Sequence, residues 1–209
     1  MRTMHGSAHP HLRYDRAEME TFERLITADQ YCNYEYDERL HDRRTELIHG
    51  RVVVNAPALP HQTLVGRIHL ALGNWAAGKP GRGRVWLPLD LRIDDWSVLN
   101  PDLLWVAEAR LPPPGTRRLE ISPDIVIEVR SPSTWARDVG PKHALYERHG
   151  VRELWLVDDR SASVLRFFRA REAATTLDSQ LELSSPETLS SPLLPGFALG
   201  LDELFDPAI

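Results

Sequence analysis

The feature that most constrains the fold is a five-residue apolar run, Ile125–Val129, that contains one carboxylate, Glu128. Apolar residues that do not alternate with polar ones are typical of a strand buried on both faces of a sheet. An ionised carboxylate in such a strand costs several kcal/mol unless it is paired or metal-bound. Glu128 therefore belongs to a buried salt bridge, to a strand end that reaches solvent, or to a metal site.

A second carboxylate, Asp102, opens the preceding apolar strand. If the two strands pair as an antiparallel ribbon, we expect Asp102 and Glu128 to converge at one end. Two neighbouring carboxylates repel each other, and a divalent cation relieves that repulsion. Oxygen ligands without a thiolate suit Mg²⁺ or Mn²⁺. The backbone carbonyl of Val129 can add a third ligand.

The remaining periodicity predicts a mixed α/β (α+β) fold with a central mixed β-sheet flanked by helices. Residues 1–20 form a polar N-terminal extension, and residues 21–209 form a single domain. The predicted elements are a helix over Thr27–Tyr36, a hairpin over Thr45–Asn55, a helix from Leu64 to Gly78, a strand over Arg84–Ile93, a turn over Asp94–Asn100, strands over Asp102–Ala107 and Ile125–Val129, a helix over Pro141–His149, strands over Glu153–Val157 and Val164–Phe168, and a loop with one weak strand over 170–192.

Composition restricts the compartment and the function class. No apolar run is long enough for a membrane helix, and the first residues lack the apolar stretch of a secretory signal. A single cysteine, Cys32, excludes an internal disulfide. We therefore expect a cytoplasmic protein without a membrane partner. The net charge of −5 argues against a protein that coats nucleic acid by bulk charge, but not against an enzyme whose metal offsets local acid.

Several short motifs occur in a fixed order. They are Thr45–Gly50 (TELIHG), Asn100–Leu103 (NPDL), Ser122–Val129 (SPDIVIEV), Ser131–Thr134 (SPST), Lys142 with Tyr146, and Glu153–Asp158 (ELWLVD). A Pro-Asp pair followed by Glu-x-basic resembles the PD-(D/E)XK nuclease superfamily. The whole order resembles its Uma-two family, described as "putative restriction endonucleases", from about Thr27 to Phe205.

The resemblance implies a restriction-endonuclease-like core and assigns roles to single residues. Asp102 and Glu128 match the metal-binding pair. Glu46 matches an acidic residue that can join the metal shell, the alternative being a solvated hairpin residue. The superfamily places a lysine two residues after the glutamate, where this chain has Arg130. Arginine cannot act as a base at neutral pH, but it can stabilise developing charge on a phosphate.

Lys142 is predicted to take the place of that missing lysine. It is one of only two lysines among 25 Lys and Arg residues. It lies in the first turn of a predicted helix, where the helix dipole disfavours a cation unless an acidic site is near. Tyr146 follows four residues later and faces the same side. The alternative is a surface lysine. His61 also matches a histidine of the family, and we expect it to have a structural role.

These residues predict a divalent-metal-dependent endonuclease that hydrolyses DNA phosphodiester bonds. The alternative is a nuclease-fold protein that binds nucleic acid or assembles with partners and has lost turnover, which Arg130 and the acidic net charge favour. Cutting both strands needs two sites related by a two-fold axis, so we expect a homodimer.

Overall fold

The computed structural model describes residues 24–55, 57–116, 118–130, 138–171 and 173–206. The predicted extension over residues 1–20 and the Ser131–Thr134 motif lie outside these residues. Twelve strands are present in the described part: β1 (Thr45–Ile48), β2 (Arg51–Val54), β3 (Arg84–Trp86), β4 (Leu91–Asp94), β5 (Ser97–Leu99), β6 (Leu103–Val106), β7 (Ile125–Val129), β8 (Glu153–Asp158), β9 (Ser163–Phe168), β10 (Ser179–Ser184), β11 (Thr188–Leu189) and β12 (Leu199–Gly200).

Four α-helices accompany these strands in the described part of the chain: α1 (Ala28–Cys32), α2 (Leu59–Ala77), α3 (His143–His149) and α4 (Leu201–Leu204). Two short 3₁₀ turns, Glu38–Leu40 and Glu108–Arg110, and a π-helical turn, Asp138–Lys142, complete the order. Among these described helices, none combines the length and the apolar character needed to cross a membrane.

A six-stranded sheet forms the centre, in the order β10-β9-β8-β7-β6-β3. The pair β7–β8 is parallel, and every other neighbouring pair in this sheet is antiparallel. Parallel strands need a crossover connection, and the helical segment 138–149 lies on the connection between β7 and β8. A four-stranded sheet, β2-β1-β5-β4, and the pair β11–β12 complete the architecture. The predicted mixed sheet flanked by helices is confirmed.

The two faces of the central sheet bury different partners. Ile125, Ile127 and Val129 pack in one core with α2 and the C-terminal segment. Val126 packs in a second core with α3 and the four-stranded sheet. Because side chains alternate along a strand, Glu128 follows Val126 onto the second face. A third core packs α1 against the four-stranded sheet.

Helix α2 follows the predicted spacing, since Leu64, Ile68, Leu72 and Trp75 are all buried in the first core. The helix begins earlier than predicted, at Leu59, with a proline in its first turn. Proline is tolerated there because the first N–H groups of a helix have no intrahelical partner.

The predicted strand over Arg84–Ile93 is wrong, because the segment divides between the two sheets. Its first part, β3, pairs with β6 in the central sheet, and its last part, β4, pairs with β5 in the smaller one. Pro88 lies at the division, and a proline has no N–H to continue a strand ladder.

Three further boundaries differ from the predictions. The segment predicted as a turn over Asp94–Asn100 contains β5, whose three residues are all buried. Helix α1 ends at Cys32 because Tyr34, with φ of 58°, adopts a left-handed conformation that a helix cannot continue. Residues 170–192 contain both β10 and β11 rather than one weak strand. The largely polar, exposed pattern of β10 is that of an edge strand.

Candidate active site

Asp102 and Glu128 lie at the same end of the paired strands β6 and β7. The last register pair at this end is Leu103 with Ile127, and each carboxylate is one residue further along its strand. The Val129 N–H donates to Asp102 Oδ2 at 2.9 Å. A side chain thus continues the hydrogen-bond ladder between the strands, and it brings the Asp102 carboxylate beside the residue that follows Glu128. The predicted antiparallel pairing of the two strands is observed, and the sharing of one cation by the two carboxylates stays a prediction.

Asp102 is 3% exposed, and two cationic or polar side chains surround it. His61 Nε2, from the first turns of α2, lies 2.9 Å from Oδ2, and Arg44 Nη2 lies 2.8 Å from Oδ1. Burial raises the pKa of Asp102. The hydrogen bond from His61, the charges of His61 and Arg44, and the Val129 N–H outweigh that effect and leave the pKa below its usual value. The carboxylate is therefore held ionised in a buried position.

Glu128 and Glu46 share one ammonium group. Lys142 Nζ lies 2.5 Å from Glu128 Oε1 and 2.9 Å from Glu46 Oε1. The Tyr146 hydroxyl donates to Glu128 Oε1 at 2.5 Å. Glu128 is 3% exposed and Lys142 2%. The alternative of a surface lysine is therefore wrong, because Lys142 is among the most buried large side chains of the described chain.

Glu46 extends this arrangement to the four-stranded sheet. It lies in β1 and is fully buried, so the alternative of a solvated hairpin residue is wrong. Asn55 Nδ2 donates to Oε2 at 2.7 Å, and the Asn100 N–H donates to Oε1 at 2.8 Å. Burial raises the pKa of Glu46, but the Lys142 charge and these hydrogen bonds outweigh that effect. The pKa of Glu46 therefore lies below its usual value. Its role as a metal ligand stays a prediction.

The local sequence explains how Lys142 is positioned. It ends the π-helical turn, directly after Pro141, and α3 begins at the next residue. Proline cannot donate a backbone hydrogen bond, and single π turns are frequent at functional sites. Tyr146 lies four residues on, so it shares the face of Lys142, as predicted. Gly150, with φ of 97°, ends the helix in the left-handed conformation that favours glycine.

Arg130 has a different neighbour. Its Nη1 lies 2.5 Å from Asp158 Oδ2, at the end of the adjacent strand β8, and its side chain is 19% exposed. The Arg130 N–H also donates to the Val157 carbonyl at 2.8 Å. The guanidinium therefore contacts the neighbouring strand, whereas the Lys142 ammonium contacts two of the predicted site carboxylates. A catalytic role for Arg130 stays a prediction.

Arg44 is a site residue that the sequence did not reveal, and His61 was expected to have only a structural role. Arg44 immediately precedes β1, and no periodic pattern marks it. Its guanidinium contacts the backbone carbonyl and side chain of Asn100 as well as Asp102. For His61 a signal was present, namely its match to a family histidine at the start of α2. Only the fold shows that this turn of helix lies against Asp102.

The side chains that could bind a metal are oxygen donors. In the described ranges, no group of three or more His, Cys, Asp or Glu side chains is arranged to hold a metal ion. Mg²⁺, however, is commonly bound through one or two carboxylates and keeps several waters. Asp102 and Glu128 supply two ionisable carboxylates of that kind at one end of the sheet.

Comparison with known proteins identifies the family and the fold. Residues 28–202 match the Uma2 family, described as "Putative restriction endonuclease". No curated protein matches the sequence. The fold is similar to the crystal structure of a "putative nuclease belonging to DUF820" from Anabaena variabilis ATCC 29413, with a TM-score of 0.71 and 20% identity over 86% of this chain and 97% of that one. Because the family match spans most of the sequence, this chain belongs to the Uma2 family of restriction-endonuclease-like proteins.

Proposed function

We propose that the protein is a divalent-metal-dependent endonuclease that hydrolyses DNA phosphodiester bonds. The observation that carries this proposal is the buried Lys142 ammonium between Glu46 and Glu128, next to the ionised Asp102. Cleavage of a phosphodiester needs positive charge near the phosphate and acidic groups that hold a cation and order water. The site contains both kinds of group in one buried cluster.

The donor set fits a hard divalent cation. Asp102 and Glu128 would hold Mg²⁺ or Mn²⁺, with the Val129 carbonyl and Glu46 as further predicted ligands. Three buried carboxylates face the cations Lys142 and Arg44, together with His61. Several carboxylate oxygens in one buried cluster are the donors that a hard divalent cation prefers. When bound, the metal would polarise the phosphate and lower the pKa of its water.

The protein groups have separate tasks in this proposal. His61, Arg44 and the Val129 N–H fix the orientation of Asp102, and Tyr146 fixes that of Glu128. Preorganised ligands need no rearrangement when the substrate arrives. The Lys142 ammonium stabilises the charge that develops on the phosphate oxygens. Arg130 is the alternative source of that positive charge.

One observation favours a second candidate function. Arg130, at the position of the superfamily lysine, is engaged by Asp158. A protein with a nuclease fold could bind nucleic acid or assemble with partners without cleaving nucleic acid. Such a protein would tolerate the pairing of Arg130 with Asp158. In both cases we expect residues 21–209 to act as one domain, in a cytoplasmic homodimer.

Cleavage of supercoiled plasmid DNA with Mg²⁺ or Mn²⁺ tests the proposal. The wild type should nick or linearise the plasmid, and EDTA should stop the reaction. Asp102→Asn and Glu128→Gln keep the side-chain size and remove the charge, so both should abolish cleavage. Glu182→Gln, at an exposed glutamate of β10, is the matched control and should cut normally. A correctly folded wild type that never cleaves would leave the non-catalytic function in its place.

A further inference from the structure

A cavity of about 180 Å³ lies beside the carboxylate cluster and is not used by the proposed chemistry. One side chain, Arg44, belongs to both. Its guanidinium lines the cavity and also donates to Asp102 Oδ1 at 2.8 Å and to the Asn100 carbonyl at 3.0 Å. The cavity is several times the ~30 Å³ share of one water and smaller than a typical drug-sized pocket. It suits one small, flat ligand group.

Three tyrosine rings form a nearly parallel stack along this cavity. Tyr31 and Tyr36 have centroids 5.2 Å apart with 14° between their planes, and Tyr36 and Tyr34 have centroids 6.1 Å apart with 20° between theirs. His41 packs edge-on against both Tyr34 and Tyr36, at 5.2 and 4.9 Å. Tyr31 is anchored inside the protein, where its hydroxyl donates to the Thr45 carbonyl. The stack therefore begins in the core and ends at the surface.

Tyr34, the outer ring, packs against Tyr36 and His41 but remains 60% exposed. Its backbone φ of 58° belongs to the turn that ends α1, where the Glu35 N–H donates to the Gln30 carbonyl. An exposed aromatic ring gains little from burial, so the exposed ring is the feature that suggests a ligand. The outer face of Tyr34 is the place where a further flat ring would extend the stack.

The side chains that line the cavity carry a net positive charge, although Glu35 and Asp37 flank Tyr36 in the sequence and the chain as a whole is acidic. Three arginines line the cavity, Arg43, Arg44 and Arg118, and Asp90 is the only acidic residue among the lining residues. Burial raises the pKa of the Asp90 carboxyl above its usual value. Arg43 is exposed at the mouth of the cavity. Basic side chains beside an aromatic platform are typical of sites that bind single-stranded nucleic acid.

We propose that this cavity binds one unpaired nucleobase of the substrate strand, stacked on Tyr34, while Arg43 and Arg44 bind the flanking phosphates. Its connection to cleavage rests on the proposed nuclease function. The faces of a base are hidden in a closed duplex, so a base reaches this platform only from a single strand, a loop or a frayed end. The preferred substrate class is therefore nucleic acid with unpaired nucleotides next to the scissile bond.

Binding measured without divalent metal tests the proposal separately from catalysis. The probes are a short fluorescein-labelled oligothymidylate and a blunt-ended duplex of matched length with G·C pairs at both ends, titrated in EDTA and followed by fluorescence anisotropy. The wild type should bind the single strand more tightly than the duplex. Tyr34→Asn removes the ring, and asparagine tolerates a positive φ. It should weaken oligothymidylate binding about tenfold or more, the scale of losing one base–aromatic stack.

Two further variants control this result. Tyr34→Trp keeps a stacking surface and should retain the affinity. Trp96→Ala removes another exposed aromatic ring, on the turn between β4 and β5, and should leave the affinity unchanged. Thermal melting of each variant checks that it is folded.

The outcomes separate the two proposals. Equal binding by wild type and Tyr34→Asn, or tighter wild-type binding to the blunt-ended duplex, overturns the base cavity. If binding follows the expected pattern and plasmid is never cleaved with Mg²⁺ or Mn²⁺, the nuclease proposal fails and the base cavity stands. If plasmid is cleaved and Tyr34→Asn alters neither binding nor cleavage, the base cavity fails and the nuclease proposal stands.

Discussion

Buried carboxylates lie near both ends of the central sheet, and their hydrogen-bond and ion-pair partners differ between the two ends. Near the start of β8, Glu153 accepts hydrogen bonds from Arg166 Nε and Nη2, both at 2.9 Å, from the Trp155 indole N–H at 2.9 Å and from the Ser191 hydroxyl at 2.7 Å. Glu153 thus forms a bidentate ion pair with Arg166, and both of its carboxylate oxygens accept hydrogen bonds. This is the arrangement expected of a structural ion pair.

At the other end, three carboxylates contact one lysine, one arginine and one histidine. Glu46 and Glu128 share Lys142, and Asp102 contacts Arg44 and His61. A lysine bound to two carboxylates is a point charge without the planar fit of a guanidinium. Burial alone therefore does not mark a functional carboxylate. What distinguishes the candidate site is that two carboxylates share one flexible cation, beside a third carboxylate with its own partners.

The largest effect is expected from Lys142→Ala. The change leaves Glu46 and Glu128 buried without their shared cation, so the free energy of unfolding should fall by about 3–5 kcal/mol. Metal-dependent cleavage by the folded fraction should fall about 10²-fold or more. Urea unfolding and plasmid cleavage measure the two effects. Lys79→Ala is the matched control. Lys79 is the only other lysine in the sequence and is exposed, so this change should alter neither the stability nor the cleavage rate.

Glu153→Gln tests the structural end of the sheet. It leaves Arg166 buried without its partner carboxylate, so the free energy of unfolding should fall by about 3 kcal/mol. The cleavage rate per folded molecule should stay unchanged. The double variant Glu153→Leu/Arg166→Met removes both charges and should recover most of the stability. A large loss of cleavage rate in the folded Glu153→Gln protein would contradict the division between the two ends.

Acid should weaken the candidate site. The folded-state pKa values of Asp102 and Glu46 lie below their usual values, so both groups contribute stability above their unfolded pKa values of about 4. That contribution is lost as the pH falls from about 4 through the lower folded-state values. Urea unfolding in EDTA across this range should show the loss. Glu46→Gln should show a smaller slope of stability against pH than the wild type.

Arg130→Ala is expected to have the smallest effect on stability. Its pair with Asp158 is partly exposed, so the free energy of unfolding should change by about 1 kcal/mol or less. Cleavage should remain within about tenfold of wild type if Lys142 supplies the catalytic charge. If Arg130→Ala abolishes cleavage while Lys142→Ala retains it, the roles of the two residues are exchanged.

The part of the site that the sequence predicted depends on local pattern. The apolar run around Glu128 and the apolar strand after Asp102 placed both carboxylates at one end of paired strands. Lys142 stood out because lysine is rare in this chain and a cation at the start of a helix needs an acid nearby. Each inference used residues close in sequence or adjacent strands.

The parts that the sequence did not predict depend on distant contacts. Arg44 reaches Asp102 because β1 and β5 pair in the smaller sheet, and no period in the sequence reveals that pairing. The partner of Glu153 is visible only from the register that sets Trp155 opposite Arg166. The strand predicted over Arg84–Ile93 divides because its two parts pair in different sheets. The alternation of apolar and polar residues along the sequence cannot show this division.

The two-sheet origin of the site also bears on when the site is assembled. Glu46 is carried by the four-stranded sheet, whereas Glu128 belongs to the central sheet and Lys142 to the crossover that follows it. During synthesis Glu46 leaves the ribosome long before Lys142, and the pair can form only after both sheets have docked. A nascent or partly unfolded copy therefore contains these residues without the assembled cluster, and any chemistry of the cluster has to wait until the fold is complete.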